Sequence, residues 1–517
     1  MAFEGHGLAG SREVAFTRLL PPADTAHSLA SLAALAKQMA VNPPDDPDSF
    51  SIKPDGEENL YVPAGYTYLG QFVDHDLTFD TTSSLDPVAP APGTNIRSPR
   101  FDLDCLYGAG PGDQPYLYDN DHATLLFGCT EDGTKDDLLR IPLNGRAVIG
   151  DKRNDENSIV CQIQLAFIKF HNAVVAGFKK KNIRGDALFK LARDEVRWTY
   201  QRILVDDFLQ RVIAAEVHDG FVGEWRSLRE RAYKLYTADK RGNIPIEFAG
   251  AAYRFGHSGV RTGYSMNAIK GFSIFNQTDN PDNSLVGFDP LPSNHVIDDW
   301  RRFFPDSTPQ PGERNTANDN TDPIRLQYAY KIDPSLADPL SALPPKIADK
   351  DSVPSPFGFE QPSLALLNLF RGHSFRLASG QAVAKALGLA ALDEEYLVTR
   401  HKTPSGGFTF RRIDSEFFTD TPLWFYILAE AQKPLVDDWI RQARRDLSDD
   451  DLKTGVLAAS QLGPVGGRLL MEVFYGLLDA DPDSYRNAAP IDWSPPIGEH
   501  CTFFKLLEFA GLGGTGL

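Results

Sequence analysis

Ile159, Ile163, Phe167, Phe170 and Val174 recur at steps of 4, 4, 3 and 4 residues, and this stripe constrains the chain more than any other feature. Such spacing gives a helix a continuous apolar face that must be buried. A second stripe, Val196, Tyr200, Ile203, Leu204 and Phe208, predicts another, longer helix downstream. Leu29, Leu32 and Leu35 predict a helix over 27–39. Further helices are expected from about Gly70 and over 364–370, 423–439 and 456–478. Between them the chain is rich in Pro, Asp and Gly. Residues 42–59 read as a polar connector, 81–120 as loop, and 278–360 show weak periodicity. A stretch that long in a compact domain contains short helices or carries function. No internal repeat and no linker between two hydrophobic halves is visible. The expectation is a mainly α fold, one large helical domain with long irregular loops and little β structure. It is placed at 60–480, after an N-terminal arm (1–59) and before a C-terminal extension (481–517).

The length, 517 residues, allows two to four domains or one large α domain around a cofactor. The balance of 52 basic against 70 acidic residues gives −18. Nucleic acid and anionic membrane surfaces are poor partners for such a chain, whose largest basic block is Lys179–Lys181. No apolar run reaches transmembrane length. Cys105, Cys129, Cys161 and Cys501 form no CxxC pair and no disulfide framework. The first residues, Met1 to His6, lack a basic region followed by an apolar one. The expected location is therefore the cytoplasm, or outside it by a non-standard export route. Oligomeric state is not legible.

Five short segments carry chemistry. In Gly70–Thr78 a helix would set Gln71, Asp74 and His75 at i, i+3 and i+4 on one face, with Asp76 pointing elsewhere. In Gly150–Asn157, Arg153, Glu156 and Asn157 repeat that spacing just before the helix near Ser158. Ala251–Ser258 sets His257 on an apolar, aromatic stretch with Arg254 one turn earlier. Asn368 and Arg371 stand at i and i+3 at the end of an apolar helix. Ser98 to Gly108 alternates oxygen-bearing groups, Ser98, Asp102 and Asp104 among them, as a calcium loop does, without an EF-hand pattern. Taken singly, each has a bland reading as a solvated turn, an intrahelical ion pair or a satisfied core histidine.

Taken together and in order, the phrases GQFVDHDLT, FDLDCLYG, GDKRNDEN followed by FIKFHN, AAYRFGH and LNLFRGH closely resemble the animal-type haem peroxidases. This is the family of myeloperoxidase and lactoperoxidase, within the peroxidase–cyclooxygenase superfamily; the chain resembles a compact, bacterial-type member. The resemblance runs from about Tyr61 to about Gly476, and it implies a helical haem-peroxidase domain. Gln71 and His75 match the distal glutamine and histidine, and Arg153 the distal catalytic arginine. His257 matches the proximal iron ligand and Asn368 the asparagine bonded to it. Asp74 and Glu156 match carboxylates esterified to haem, here haem b. Asp76, Ser98, the Arg100 carbonyl, Asp102 and Asp104 match a Ca²⁺ site. Arg254 and Arg371 match partners of haem propionates. Asn157 stands where myeloperoxidase has a methionine, which excludes a sulfonium link, and the segment after Asn368 is shorter than the family's arginine-rich version.

The resemblance implies a peroxidase that uses hydrogen peroxide to oxidise small anions, halide or thiocyanate, or phenolic donors. In this chemistry a neutral imidazole takes and returns a proton, and a fixed guanidinium stabilises charge on the departing oxygen. Two alternatives stand beside it. A fatty-acid dioxygenase of the cyclooxygenase type needs a tyrosine three residues before the proximal histidine; Arg254 is there, and Tyr253 is displaced by one. A non-catalytic haem- and calcium-binding adhesion or sensor protein would dispense with His75 or Arg153; both are present.

Overall fold

A computed structural model describes residues 14–24, 27–40, 57–79, 94–268, 271–275, 284–306, 324–348, 362–402, 408–443 and 460–513. Eleven helices of seven residues or more frame these: α1 (Leu29–Met39), α2 (Gly65–Leu77), α3 (Ser158–Lys180), α4 (Asp186–Ile203), α5 (Ala215–Leu228), α6 (Leu364–Ser374), α7 (Gly380–Leu387), α8 (Leu423–Ala431), α9 (Lys433–Ala443), α10 (Pro464–Ala480) and α11 (Phe503–Phe509). Strands among the described residues pair two by two, all antiparallel. The fold is mainly α, as the periodicity requires.

The first apolar stripe becomes the fully buried face of α3. Asn157 starts the helix by turning its side chain back, its Oδ1 accepting from Ile159 N at 3.1 Å and Val160 N at 2.9 Å. Phe167 of α3 stacks on Phe72 of α2 with centroids 4.6 Å apart, and Tyr200 of α4 meets both rings edge-on. This aromatic knot fixes α2, α3 and α4 relative to one another. By length and composition α3 could cross a membrane, but most of its surface is spent inside this core. The second stripe runs past the end of α4 into a π-helical turn, Leu204–Phe208. There Asp207 accepts from Tyr66 Oη at 2.6 Å and from Phe503 N at 2.9 Å, joining α2 to α11. One core takes in Leu32 and Leu35 of α1 and Phe503 and Leu507 of α11.

Several boundaries differ from expectation, among them the helix expected over 456–478, which begins at Pro464 as α10, with residues 456–459 outside the described residues. Helix α2 starts at Gly65, a turn before Gly70. Its glycines are poor helix formers, but Gly65 lies so close to Phe303 and Phe304 that a Cβ there would meet the Phe304 ring at 2.4 Å. The helix expected over 423–439 is two, α8 and α9, because Pro434 lacks an amide hydrogen and suits a new first turn. The end of the expected connector is a strand, β1 (Glu58–Pro63), paired with β2 (Tyr328–Tyr330). Its acidic start reads as polar linker, yet Glu57, Glu58 and Asn59 are all buried. Glu57 pairs with Arg400, and Glu58 with Arg261 at 3.0 Å and with Arg325. Burial of these carboxylates is tolerable because each is paired. Residues 42–56 and 81–93 lie outside the described residues.

Candidate active site

Helix α2 presents Gln71, Asp74 and His75 along one face, and all three line a single cavity. We call this wall distal. The His75 ring is buried, and its Nδ1 donates to Asn154 Oδ1 at 2.7 Å. Asn154 Nδ2 in turn donates to Gln164 Oε1 at 2.8 Å, which fixes the amide's orientation. With Nδ1 protonated, the neutral ring keeps a lone pair on Nε2, and no hydrogen bond from a described residue reaches that nitrogen. Burial first, then the nearby Arg153 charge, pushes the His75 pKa down to about 4. A neutral imidazole aimed into a cavity is a proton acceptor at physiological pH.

A second group of lining residues, which we call proximal, comes from the 3₁₀ turn Ala252–His257. Arg254 and His257 line the same cavity. Asn368 of α6 reaches in from behind, and its amide lies 2.9 Å from His257 Nδ1. As placed, Asn368 Nδ2 faces His257 Nδ1, so Nδ1 accepts and the neutral ring carries its proton on Nε2; turning the amide over would free the Nε2 lone pair for a metal at the cost of the Arg254 hydrogen bond. Arg254 Nη1 also donates to Asn368 Oδ1 at 3.3 Å. Burial, followed by Arg254, pushes the His257 pKa down to about 3. A buried, neutral imidazole with an amide on Nδ1 is the donor type that suits haem iron.

Together these walls line a cavity of about 190 Å³. Apolar side chains, among them Ile274, Phe275, Leu340 and Leu343, complete the lining, which suits the faces of a flat porphyrin. Glu156 and Asn157 also line it, and burial pushes the Glu156 pKa up to about 7. Asn157 Nδ2 donates to Gln71 Oε1 at 3.1 Å, tying the two distal segments together. Tyr253 lines the cavity too; its hydroxyl is buried with no hydrogen-bond partner among the described residues.

Arg153 and Arg371 are placed differently from the rest. Residues 152–155 form a 3₁₀ turn capped by Asp151, and Asn157 is extended, so Arg153, Glu156 and Asn157 do not share a helical face. The expected i, i+3, i+4 geometry is corrected by these two caps. Glu156 and Asn157 face the cavity, whereas Arg153 is not among its lining residues. Its Nη2 donates to Asp151 Oδ2 at 2.8 Å, Thr78 O at 2.6 Å and His75 O at 3.2 Å. Arg371 also lies outside the lining, its guanidinium 5.8 Å over the Phe375 ring.

Asp76 points to the other side of α2, as helical geometry demands. It meets Asp102 and Asp104, with one oxygen of each carboxylate within 4.8 Å of the others. Leu103 between them adopts φ 60°, which turns both carboxylates toward one point. Ser98 Oγ donates to Asp102 Oδ2 at 2.7 Å, and Ser98 N to Asp104 Oδ2 at 3.2 Å. The Arg100 side chain leaves the cluster to pair with Asp481 at 3.2 Å. Both Asp76 oxygens are buried and have no hydrogen-bond partner among the described residues, an arrangement that a hard cation would satisfy.

Spacing alone did not reveal Asn154, Gln164 or Asp151. The one available signal was Asp151, two residues before Arg153 and placed like a turn-capping residue.

The animal haem peroxidase family model matches residues 89–291. Heme peroxidase 2 of Caenorhabditis elegans is 27% identical over 114 residues, 22% of this chain and 16% of that protein. Dual oxidase of Drosophila melanogaster is 21% identical over 436 residues, 80% of this chain and 24% of that protein. The chain thus spans a quarter or less of the length of these relatives. Among solved structures, peroxidase A from Dictyostelium discoideum superposes with a TM-score of 0.60 at 14% identity, covering 96% of this chain and 92% of that one. Fatty acid alpha-dioxygenase from Arabidopsis thaliana gives 0.53 at 14% identity, covering 97% and 76%. The chain is thus similar to animal haem peroxidases over residues 89–291 and shares the fold of these solved structures.

Proposed function

We propose that this chain is a haem-dependent peroxidase that uses hydrogen peroxide to oxidise small anions, halide or thiocyanate, or phenolic donors. The observation that carries the reading is a single cavity lined by two neutral histidines, each held at Nδ1 by an asparagine. Haem, when bound, supplies an iron centre that accepts peroxide and stores its oxidising equivalents. His257 would hold the iron, and Asn368 would orient His257. His75 takes a proton from peroxide at Nε2 and returns it to the departing oxygen; Asn154 keeps that nitrogen unprotonated beforehand. Gln71, fixed by Asn157, orients peroxide beside His75. Arg153 supplies positive charge to the distal side, drawn from its station at Asp151.

Asp74 and Glu156 are the carboxylates that would esterify haem, and Arg254, which lines the cavity, would meet a propionate; Arg371, outside the lining, is the second candidate partner. A Ca²⁺ ion at Asp76, Ser98, the Arg100 carbonyl, Asp102 and Asp104 would hold α2 in register. The unpartnered Asp76 carboxylate supports that site.

A fatty-acid dioxygenase is the second reading, favoured by the alpha-dioxygenase likeness and by Tyr253, a cavity-lining residue whose buried hydroxyl has no hydrogen-bond partner among the described residues. Against it, Arg254 holds the position three residues before His257. Haem-loaded protein should oxidise guaiacol or iodide only when peroxide is added, and should consume no O₂ with a long-chain fatty acid. Fatty-acid-dependent O₂ uptake would replace the peroxidase reading with the dioxygenase one. Inertness toward every donor, with haem retained, would favour a sensor or adhesion protein.

A further inference from the structure

Behind the distal wall a line of alternating charges leads to the Asp76–Asp102–Asp104 cluster. Arg97 Nη1 donates to Asp104 Oδ1 at 3.3 Å, and its Nη2 to Asp151 Oδ2 at 2.6 Å. Asp151 Oδ2 is also the oxygen that Arg153 Nη2 takes at 2.8 Å. One buried carboxylate oxygen is therefore shared by two guanidiniums, one leading to the cluster and the other to the distal wall. The backbones that carry these charges are in contact. A Cβ at Gly150 would stand 2.5 Å from Cys105 O and 2.8 Å from Asp104 O, so only glycine lets the Asp151 segment lie against the Asp104 segment.

We propose that Arg97 and Asp151 are positioning residues that couple cation binding at the carboxylate cluster to the placement of the Arg153 guanidinium. The inference rests on the proposed cation site and on the proposed distal role of Arg153. Arg97 and a divalent ion are rivals for Asp104. An ion on Asp104 repels Arg97, which then lies wholly on Asp151. A better-satisfied Asp151 holds Arg153 less, and the guanidinium is freed toward the cavity. Coupling of this kind is reciprocal. A change that loosens Arg153 from Asp151 must strengthen cation binding, and loss of Asp151 must weaken it by leaving Arg97 entirely to Asp104.

The test is calorimetric titration of the haem-loaded full chain with CaCl₂ after chelation. Asp151→Asn should weaken Ca²⁺ binding by about 5-fold or more, the lower end of ordinary coupling between sites. Arg153→Gln should tighten it. In an Arg97→Gln background both effects should shrink to less than about 2-fold, because the connection between the two ends is gone. Equal effects in both backgrounds would mean plain long-range charge and would overturn the relay. An unchanged affinity in Arg153→Gln would also overturn it, since the coupling would stop at Asp151. If Asp151→Asn does not fold, Arg153→Gln in the two Arg97 backgrounds carries the test. A wild-type chain that takes up no Ca²⁺ would remove the cation reading itself and the relay with it, a result distinct from binding without coupling.

Discussion

On the distal side His75 rests on Asn154, which leans on the neutral Gln164, while Arg153 on the His75 carbonyl leads to Asp151, Arg97 and the three clustered carboxylates. On the proximal side His257 rests on Asn368, which also accepts from Arg254, and the turn that carries His257 and Arg254 is packed among rings. Tyr253 stacks on Phe248 with centroids 4.8 Å apart and packs on Phe474 at 5.7 Å, while Trp424 Nε1 donates to Arg254 O at 3.1 Å. Rings hold by contact and shape, which change little with solution conditions. Ion pairs hold by a balance that pH, salt or a bound cation can tilt. One wall is built to keep a ligand still, and the other to have its charge adjusted.

The largest expected effect breaks the proximal wall. His257→Ala should lose most of its haem and its Soret band, whereas Asn154→Ala, on the distal wall, should keep both. A His257→Ala protein with full haem and an unchanged Soret band would remove the iron-ligand assignment.

A smaller effect sharpens the distal side. Without Asn154 nothing fixes the His75 tautomer, so Asn154→Ala should slow reaction with peroxide by roughly 10–100-fold, the usual cost of losing an orienting partner. Stopped-flow traces at the wild-type rate would show that the amide is dispensable.

A further effect, on stability and not on turnover, lies outside both walls. His171 is buried, its Nε2 2.8 Å from Ala123 O and its Nδ1 3.1 Å from Tyr107 Oη. Burial pushes its pKa down to about 4. The unfolded chain therefore binds the proton more readily than the folded one, and stability falls as pH drops from about 6.5 toward 4. The full shift corresponds to a loss on the order of 3 kcal/mol. Thermal melts of His171→Gln, whose lower overall stability is a separate matter, should show a shallower acid slope than wild type. Equal slopes would discount this histidine.

The site was legible in sequence where a helix carries it. In α2 the 3.6-residue repeat alone separates Gln71, Asp74 and His75 from Asp76, and the structure puts the two sets on different sides. Legibility failed at Gly150–Asn157, where two capping residues, Asp151 and Asn157, replace helical geometry with a tight turn and an extended step. Arg153 consequently faces Asp151 rather than the cavity. The β1 strand was hidden for a different reason. Its carboxylates are paired with Arg261, Arg325 and Arg400, each more than 200 positions away, and no local pattern announces such partners.

The central claim is that His75 and His257 serve one haem and that His75 moves the proton of peroxide. The most direct measurement is stopped-flow mixing of haem-loaded wild type and His75→Ala with hydrogen peroxide, followed at the Soret band. The account predicts full haem in both proteins and a reaction slowed by roughly 10²–10⁴-fold in the variant, the scale of a positioned general base. An undiminished rate in His75→Ala with haem intact would contradict it.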